Sequence, residues 1–147
     1  MALLMLAACA SGPVRRVSEP AASIQQLSVG NDGRWTVELR INNYSSVPMR
    51  FDSIALALTV GDEDAVQLQA QPGLSIGPES ADVVSLTLAP SPAARIAMAV
   101  ALTSNRSISY NLRGELRATP DAGSQRTYQI ERNSALSPVP GLAGVLR

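Results

Sequence analysis

The sequence predicts an all-β fold, an antiparallel sandwich of about seven strands with one short helix near residues 92–102. Three observations predict it. From Ser23 onward apolar residues alternate with polar ones at the period of a half-buried strand. Gly, Asn, Asp and Pro interrupt that alternation at the intervals of antiparallel strands. One segment, Ser91-Pro92-Ala93-Ala94, breaks it with the signature of a helix start.

Residues 24–29 read as a short first strand, and Gly30-Asn31-Asp32-Gly33 as a hairpin turn, because Asn and Gly accept positive φ. In residues 34–43, Trp35, Val37, Leu39 and Ile41 point to one face while Thr36, Glu38, Arg40 and Asn42 point to the other. Trp35 is therefore expected in the core rather than on a ligand platform. Turn formers fill residues 42–48. Met49 and Phe51 then share one parity, whereas Ile54, Leu56, Leu58 and Val60 share the other, which requires a bulge near Asp52-Ser53.

Gly61-Asp62-Glu63-Asp64 makes the next turn, and Val66 and Leu68 continue a strand beyond it. Gln71-Pro72-Gly73 loosens the chain, Gly77-Pro78-Glu79 turns it, and Val84, Leu86 and Leu88 mark a strand ending at Pro90. Ser91 suits an N-cap and Pro92 the first helical position, so residues 92–102 are read as a helix. The alternation of Ile96, Met98, Val100 and Leu102 with alanines also fits a strand. Ile108, Tyr110, Leu112, Gly114 and Leu116 form a long strand, joined through Pro120-Asp121-Ala122-Gly123 to a last one at residues 127–131.

A chain of 147 residues makes one ordinary domain, able to bury roughly 70% of its unfolded surface without staples. Only 3% of residues are aromatic, so aliphatic side chains must fill the core. Twelve arginines balance twelve acidic residues and are scattered along the chain, which nominates neither nucleic acid nor an anionic surface as partner. There is no histidine, the side chain most used for proton transfer near neutral pH and the commonest metal ligand.

Residues 1–8 are an apolar run closed by small residues and followed by Cys9, far short of the roughly 20 residues that span a bilayer. Leu6-Ala7-Ala8-Cys9 resembles the lipobox of bacterial lipoproteins, which implies cleavage before Cys9 and acylation of that residue. Ala10 stands where inner-membrane retention resembles Asp, so the expected location is the outer membrane, facing the periplasm. No cationic residue precedes the apolar run, which we read as a signal peptide shortened at its start. Residues 9–22 are expected to be a lipidated tether, reaching about 20 Å as flexible coil. The sandwich is assigned to residues 23–133 and an extended tail to residues 134–147. The tail's Leu136, Val139, Leu142, Val145 and Leu146 call for a groove on the domain or for a partner.

Three segments together resemble the late embryogenesis abundant type 2 family, also called the WHy domain, across roughly residues 22–132. Trp35-Thr36-Val37-Glu38-Leu39-Arg40-Ile41-Asn42-Asn43 is similar to the family strand ending V-x-N-P-N, with Tyr44 in place of the proline. Residues 54–61 resemble the following Y-x-L-x-x-x-G strand, with Ile54 at the aromatic position. Residues 108–116 resemble the Y-x-x-x-G-x-L strand that follows a short helix. The resemblance implies an immunoglobulin-like or fibronectin III-like sandwich without catalytic residues or cofactor, and a role in desiccation or water-stress tolerance.

Catalytic inventories fail on the missing histidine, and the one cysteine is committed to lipid. Asp62, Glu63 and Asp64 are hard-oxygen ligands in one turn, yet they lack the spacing of a calcium loop, so a solvated hairpin tip is expected. Arg113, Glu115 and Arg117 alternate along one polar face and suit an ion-pair ladder. The sequence thus points to a non-enzymatic, stress-associated protective or interaction module, held at the membrane by its lipid. The alternative is an accessory subunit of an envelope assembly or transport complex that binds a protein partner or an apolar ligand.

Overall fold

The computed structural model describes residues 14–147. Nine strands and one helix follow one another in these residues: β1 (Ala21–Val29), β2 (Trp35–Asn43), β3 (Met49–Val60), β4 (Glu63–Ala70), β5 (Leu74–Ile76), β6 (Ser80–Leu88), α1 (Pro92–Thr103), β7 (Ile108–Pro120), β8 (Arg126–Leu136) and β9 (Val145–Leu146). They form two antiparallel sheets packed as a sandwich. One has the order β6-β2-β1-β9; the other runs β4-β3-β7-β8, with β5 pairing β3 beyond the end of β4.

Alternation produces this arrangement directly. Trp35, Val37, Leu39 and Ile41 of β2 are all buried, and so are Ile54, Leu56, Leu58 and Val60 of β3 across the interior. Burying each large side chain contributes about 1.5–3 kcal/mol, so two such rows supply much of the core. The parity change in β3 is a bulge: pairing with β7 shifts register between Phe51 and Ser53, which returns Met49 and Phe51 to the interior.

The segment Pro92–Thr103 is helical, with Ser91 as its N-cap. Ser91 Oγ accepts a hydrogen bond from the Ala94 amide at 3.2 Å, and Pro92 occupies the first turn. Helical spacing buries Ala94, Met98 and Ala101. A strand would have buried Ile96 and Val100 together with Met98, but both lie exposed on the outer helix face.

Other boundaries differ from expectation. The first strand begins at Ala21 rather than at residue 24. Within the segment assigned to a tether, residues 14–18 are hydrogen-bonded to the sandwich. Residues 74–76 add the short strand β5. The tail is not simply extended: β8 continues through residues 134–136, and β9 returns to pair with β1 at Leu27 and Ser28. That return buries Leu136 and Leu146 and removes part of an open sheet edge.

Candidate functional site

The sandwich has two distinct ends. At the first, the 44–48 loop, the 77–79 turn and the 121–123 turn gather round residues 14–18. The Arg16 amide donates to Ser46 Oγ at 2.7 Å, and the Ser46 amide donates to the Arg16 carbonyl at 2.9 Å. The Arg16 guanidinium reaches the Tyr44 carbonyl at 2.6 Å and the Glu79 carboxylate at 3.2 Å. The Ser18 amide donates to the buried Ser45 hydroxyl at 2.8 Å, and the Arg15 guanidinium donates to the Asp121 carbonyl.

Beneath this strap sits Asn43, the last residue of β2 and almost wholly buried. Its Nδ2 donates toward the carbonyls of Val47, Ile76 and Gly77 at 3.0–3.1 Å, while Oδ1 accepts from the Ser45 amide at 2.9 Å. One side chain therefore fastens the β2–β3 corner to the end of β5. Sequence reading missed this knot, because an asparagine before Tyr-Ser-Ser reads as a turn former rather than as a buried pin.

The opposite end carries α1, the 30–33 and 61–62 turns and the loop between β8 and β9. Leu142 of that loop is 48% exposed, and Ile96 and Val100 of α1 are 66% and 59% exposed. A shallow hollow of about 630 Å³ lies between the end of α1 and residues 138–144, with Leu102, Thr103, Val139 and Leu142 on its walls. The apolar tail thus divides: Leu136 and Leu146 serve the core, Val139 and Val145 are half-buried, and Leu142 faces solvent.

The outer face of the β4-β3-β7-β8 sheet is polar. Small residues Ser53 and Ala55 floor a hollow of about 420 Å³, flanked by Gln69 and Gln71 on one side and Glu115 and Arg117 on the other. Arg113 pairs with Glu131 at 3.2 Å, Gln129 donates to Glu115 at 3.1 Å, and Asn111 donates to Asn133 at 2.7 Å. This is a cross-strand ladder in which Arg113 takes part as an ion pair and Glu115 through an amide. With Arg113 72% exposed, its ion pair contributes little to stability.

At the β3 bulge the Asp52 carboxylate accepts from Arg50 Nε at 2.6 Å, Thr119 Oγ1 at 2.6 Å and Gln125 Nε2 at 3.1 Å. Partial burial disfavours its charge, but the donors from Thr119, Arg50 and Gln125, with the Arg50 charge, outweigh it and hold the pKa below its ordinary value. Asp62, Glu63 and Asp64 all lie exposed around the β3–β4 turn, with Asp62 at φ 65°. Among the described residues no three His, Cys, Asp or Glu side chains gather closely enough to hold a metal ion. Cys9 and the preceding Leu6, Ala7 and Ala8 lie outside the described residues.

The profile of the family described as late embryogenesis abundant protein matches residues 38–132, from within β2 into β8. The chain belongs to the late embryogenesis abundant type 2 family. This family is generally non-enzymatic and is associated with stress protection. In this chain two of the residues that resemble the family's motifs hold structural positions: Asn43 is the knot, and Gly114 lies where a Cβ would stand 2.1 Å from the Ala55 carbonyl oxygen.

Solved structures agree on the fold. The solution structure of an Arabidopsis thaliana protein is similar with a TM-score of 0.51 at 13% identity, covering 84% of this chain and 80% of that one. The crystal structure of a Bordetella pertussis protein assigned as ApaA gives a TM-score of 0.51 at 14% identity, covering 88% of this chain and 100% of that one. At such identities the likeness bears on architecture alone. No curated protein sequence matches the chain.

Proposed function

We propose that this late embryogenesis abundant domain is the folded part of a bacterial lipoprotein, anchored through Cys9 in the outer membrane and facing the periplasm, and that it protects the envelope during water loss. The observation that carries this reading is the joining of a stress-associated sandwich to Leu6-Ala7-Ala8-Cys9 in one chain. The domain acts without bond chemistry. Its sheet faces offer amide, carboxylate and guanidinium groups that bind water or replace it at a neighbouring surface, while the buried aliphatic interior keeps its shape.

The test is survival of a strain lacking the protein after drying, complemented by the native chain or by Cys9→Ser. Deletion should lower survival, and Cys9→Ser should leave the protein unacylated and fail to restore it. Unchanged survival of the deletion strain to drying, cold and osmotic shock would overturn the protective role.

A second reading, an accessory subunit of an envelope assembly or transport complex, is favoured by one observation: Ile96, Val100 and Leu142 stand exposed at one end of the sandwich. Photocrosslinking from position 142 should then capture one envelope protein, and Ile96→Asp with Val100→Asp should abolish capture. Capture that survives both substitutions counts against it.

A further inference from the structure

We infer that the end of the sandwich bearing Tyr44 and Val14 docks on the lipid bilayer, so that the domain stands on the membrane with α1 pointing away. This rests on the proposed acylation of Cys9, but the orientation is a separate claim and can fail separately.

Chain length makes the first part of the case. Were residues 9–22 a free coil, the sandwich would tumble within a reach of about 20 Å. The bonds of Arg15, Arg16 and Ser18 to the 44–48 loop and to Asp121 fasten the chain to the domain from residue 14 onward. Only five residues, 9–13, then separate the acyl chains from the folded end, a contour of at most about 17 Å. Strand β2 runs nine residues from this end to the other, roughly 30 Å. The 44–48 end is therefore held within reach of the headgroups, whereas α1 lies beyond them unless the domain turns on its side.

The surface at that end supplies the second part. Of the chain's five aromatic residues, Trp35, Phe51, Tyr110 and Tyr128 are buried in the sandwich and only Tyr44 is exposed, at 52%. A tyrosine with an apolar ring and a polar tip suits the boundary between acyl chains and headgroups. Val14, 82% exposed, lies in the same strap, its carbonyl accepting from Ser46 Oγ at 3.0 Å. Of the charges around them, Arg16 is paired with Glu79, whereas the Arg15 guanidinium donates to the main-chain carbonyl of Asp121, which leaves its charge in place, so a neutral bilayer isolates the part played by insertion. Docking here follows from proximity, which a short link raises to high local concentration, and from interfacial insertion of Tyr44 and Val14.

The experiment carries the full chain on vesicles of neutral phosphatidylcholine through a maleimide lipid on its one cysteine, which supplies an anchor whether or not cells acylate it. A tryptophan is placed by Tyr44→Trp or by Ile96→Trp, and emission is read with and without brominated acyl chains; the buried Trp35 gives a common background. Tyr44→Trp should lose part of its added emission, as expected of an indole seated at the headgroup level, and Ile96→Trp should lose none. Equal quenching at the two positions, or stronger quenching at 96, would overturn the orientation, as would no quenching at either. Failure of cellular acylation, read as an unmodified Cys9 by mass, would remove the lipoprotein reading and leave this vesicle result standing.

Discussion

Replacing Asn43 by alanine tests whether the sandwich depends on one buried amide. The side chain directs two N–H groups at three carbonyls and accepts one backbone N–H, so its removal deletes three full hydrogen bonds, with one donor shared. A buried polar group left without a partner costs about 1–3 kcal/mol. Gly77 is exposed and its carbonyl can turn to water, while Ser45 is fully buried and its amide cannot. Offsetting these, the net loss is about 3 kcal/mol, equivalent to roughly 10 °C in Tm for a domain of this size. Asn43→Asp is the sharper variant, because it aims a carboxylate oxygen at three carbonyl oxygens. At neutral pH it should be less stable than Asn43→Ala, and it should recover as acid protonates the new carboxyl and restores one donor. Thermal unfolding followed by circular dichroism reads both. An alanine variant with unchanged Tm, or an aspartate variant more stable than alanine at pH 7, would refute the reasoning.

Three further outcomes follow from named contacts. Gly114→Ala drives a Cβ against the Ala55 carbonyl in the middle of the β3–β7 pairing, where backbone must move; a loss of about 3 kcal/mol or more is expected in urea unfolding. Tyr110→Phe removes the hydroxyl that accepts the Ile24 amide at 3.1 Å across the two sheets, and should cost about 1 kcal/mol with the fold intact. Asp52, whose folded pKa lies below 3.8, contributes stability that is present above its unfolded pKa and lost as pH falls through the folded value. Asp52→Asn should therefore flatten the acid limb of a stability-against-pH curve. An acid limb identical to the native protein's would sink that assignment.

The elements legible in the sequence are those whose signal is written in their own residues. A parity break between Phe51 and Ile54 can only be accommodated by an extra residue, so the bulge at Asp52 follows from pattern alone. The helix at α1 is equally local, since Ser91 and Pro92 specify its first turn. What could not be read depends on a distant backbone. β9 is two residues long and exists because the Val29 amide donates to the Gly144 carbonyl at 2.8 Å and β1 offers an edge. The strap at residues 14–18 is held through backbone groups, serine hydroxyls and the Arg15 and Arg16 guanidiniums, partners that leave no periodicity in the chain.

The apolar end shows most clearly why an exposed face is hard to read from sequence. Helix α1 is apolar on both faces: Ala94, Met98 and Ala101 look inward, and Ile96 and Val100 look outward. A hydrophobic pattern marks the inward face of a helix only when the other face is polar. Here the pattern was ambiguous enough to fit a strand, and the ambiguity arose from the two residues that folding leaves uncovered. Charged residues would hold the outward positions equally well for stability, since an exposed helix face contributes little to the core. Isoleucine and valine at both positions thus add nothing to the core, and they are the side chains that the accessory-subunit reading would have a partner cover.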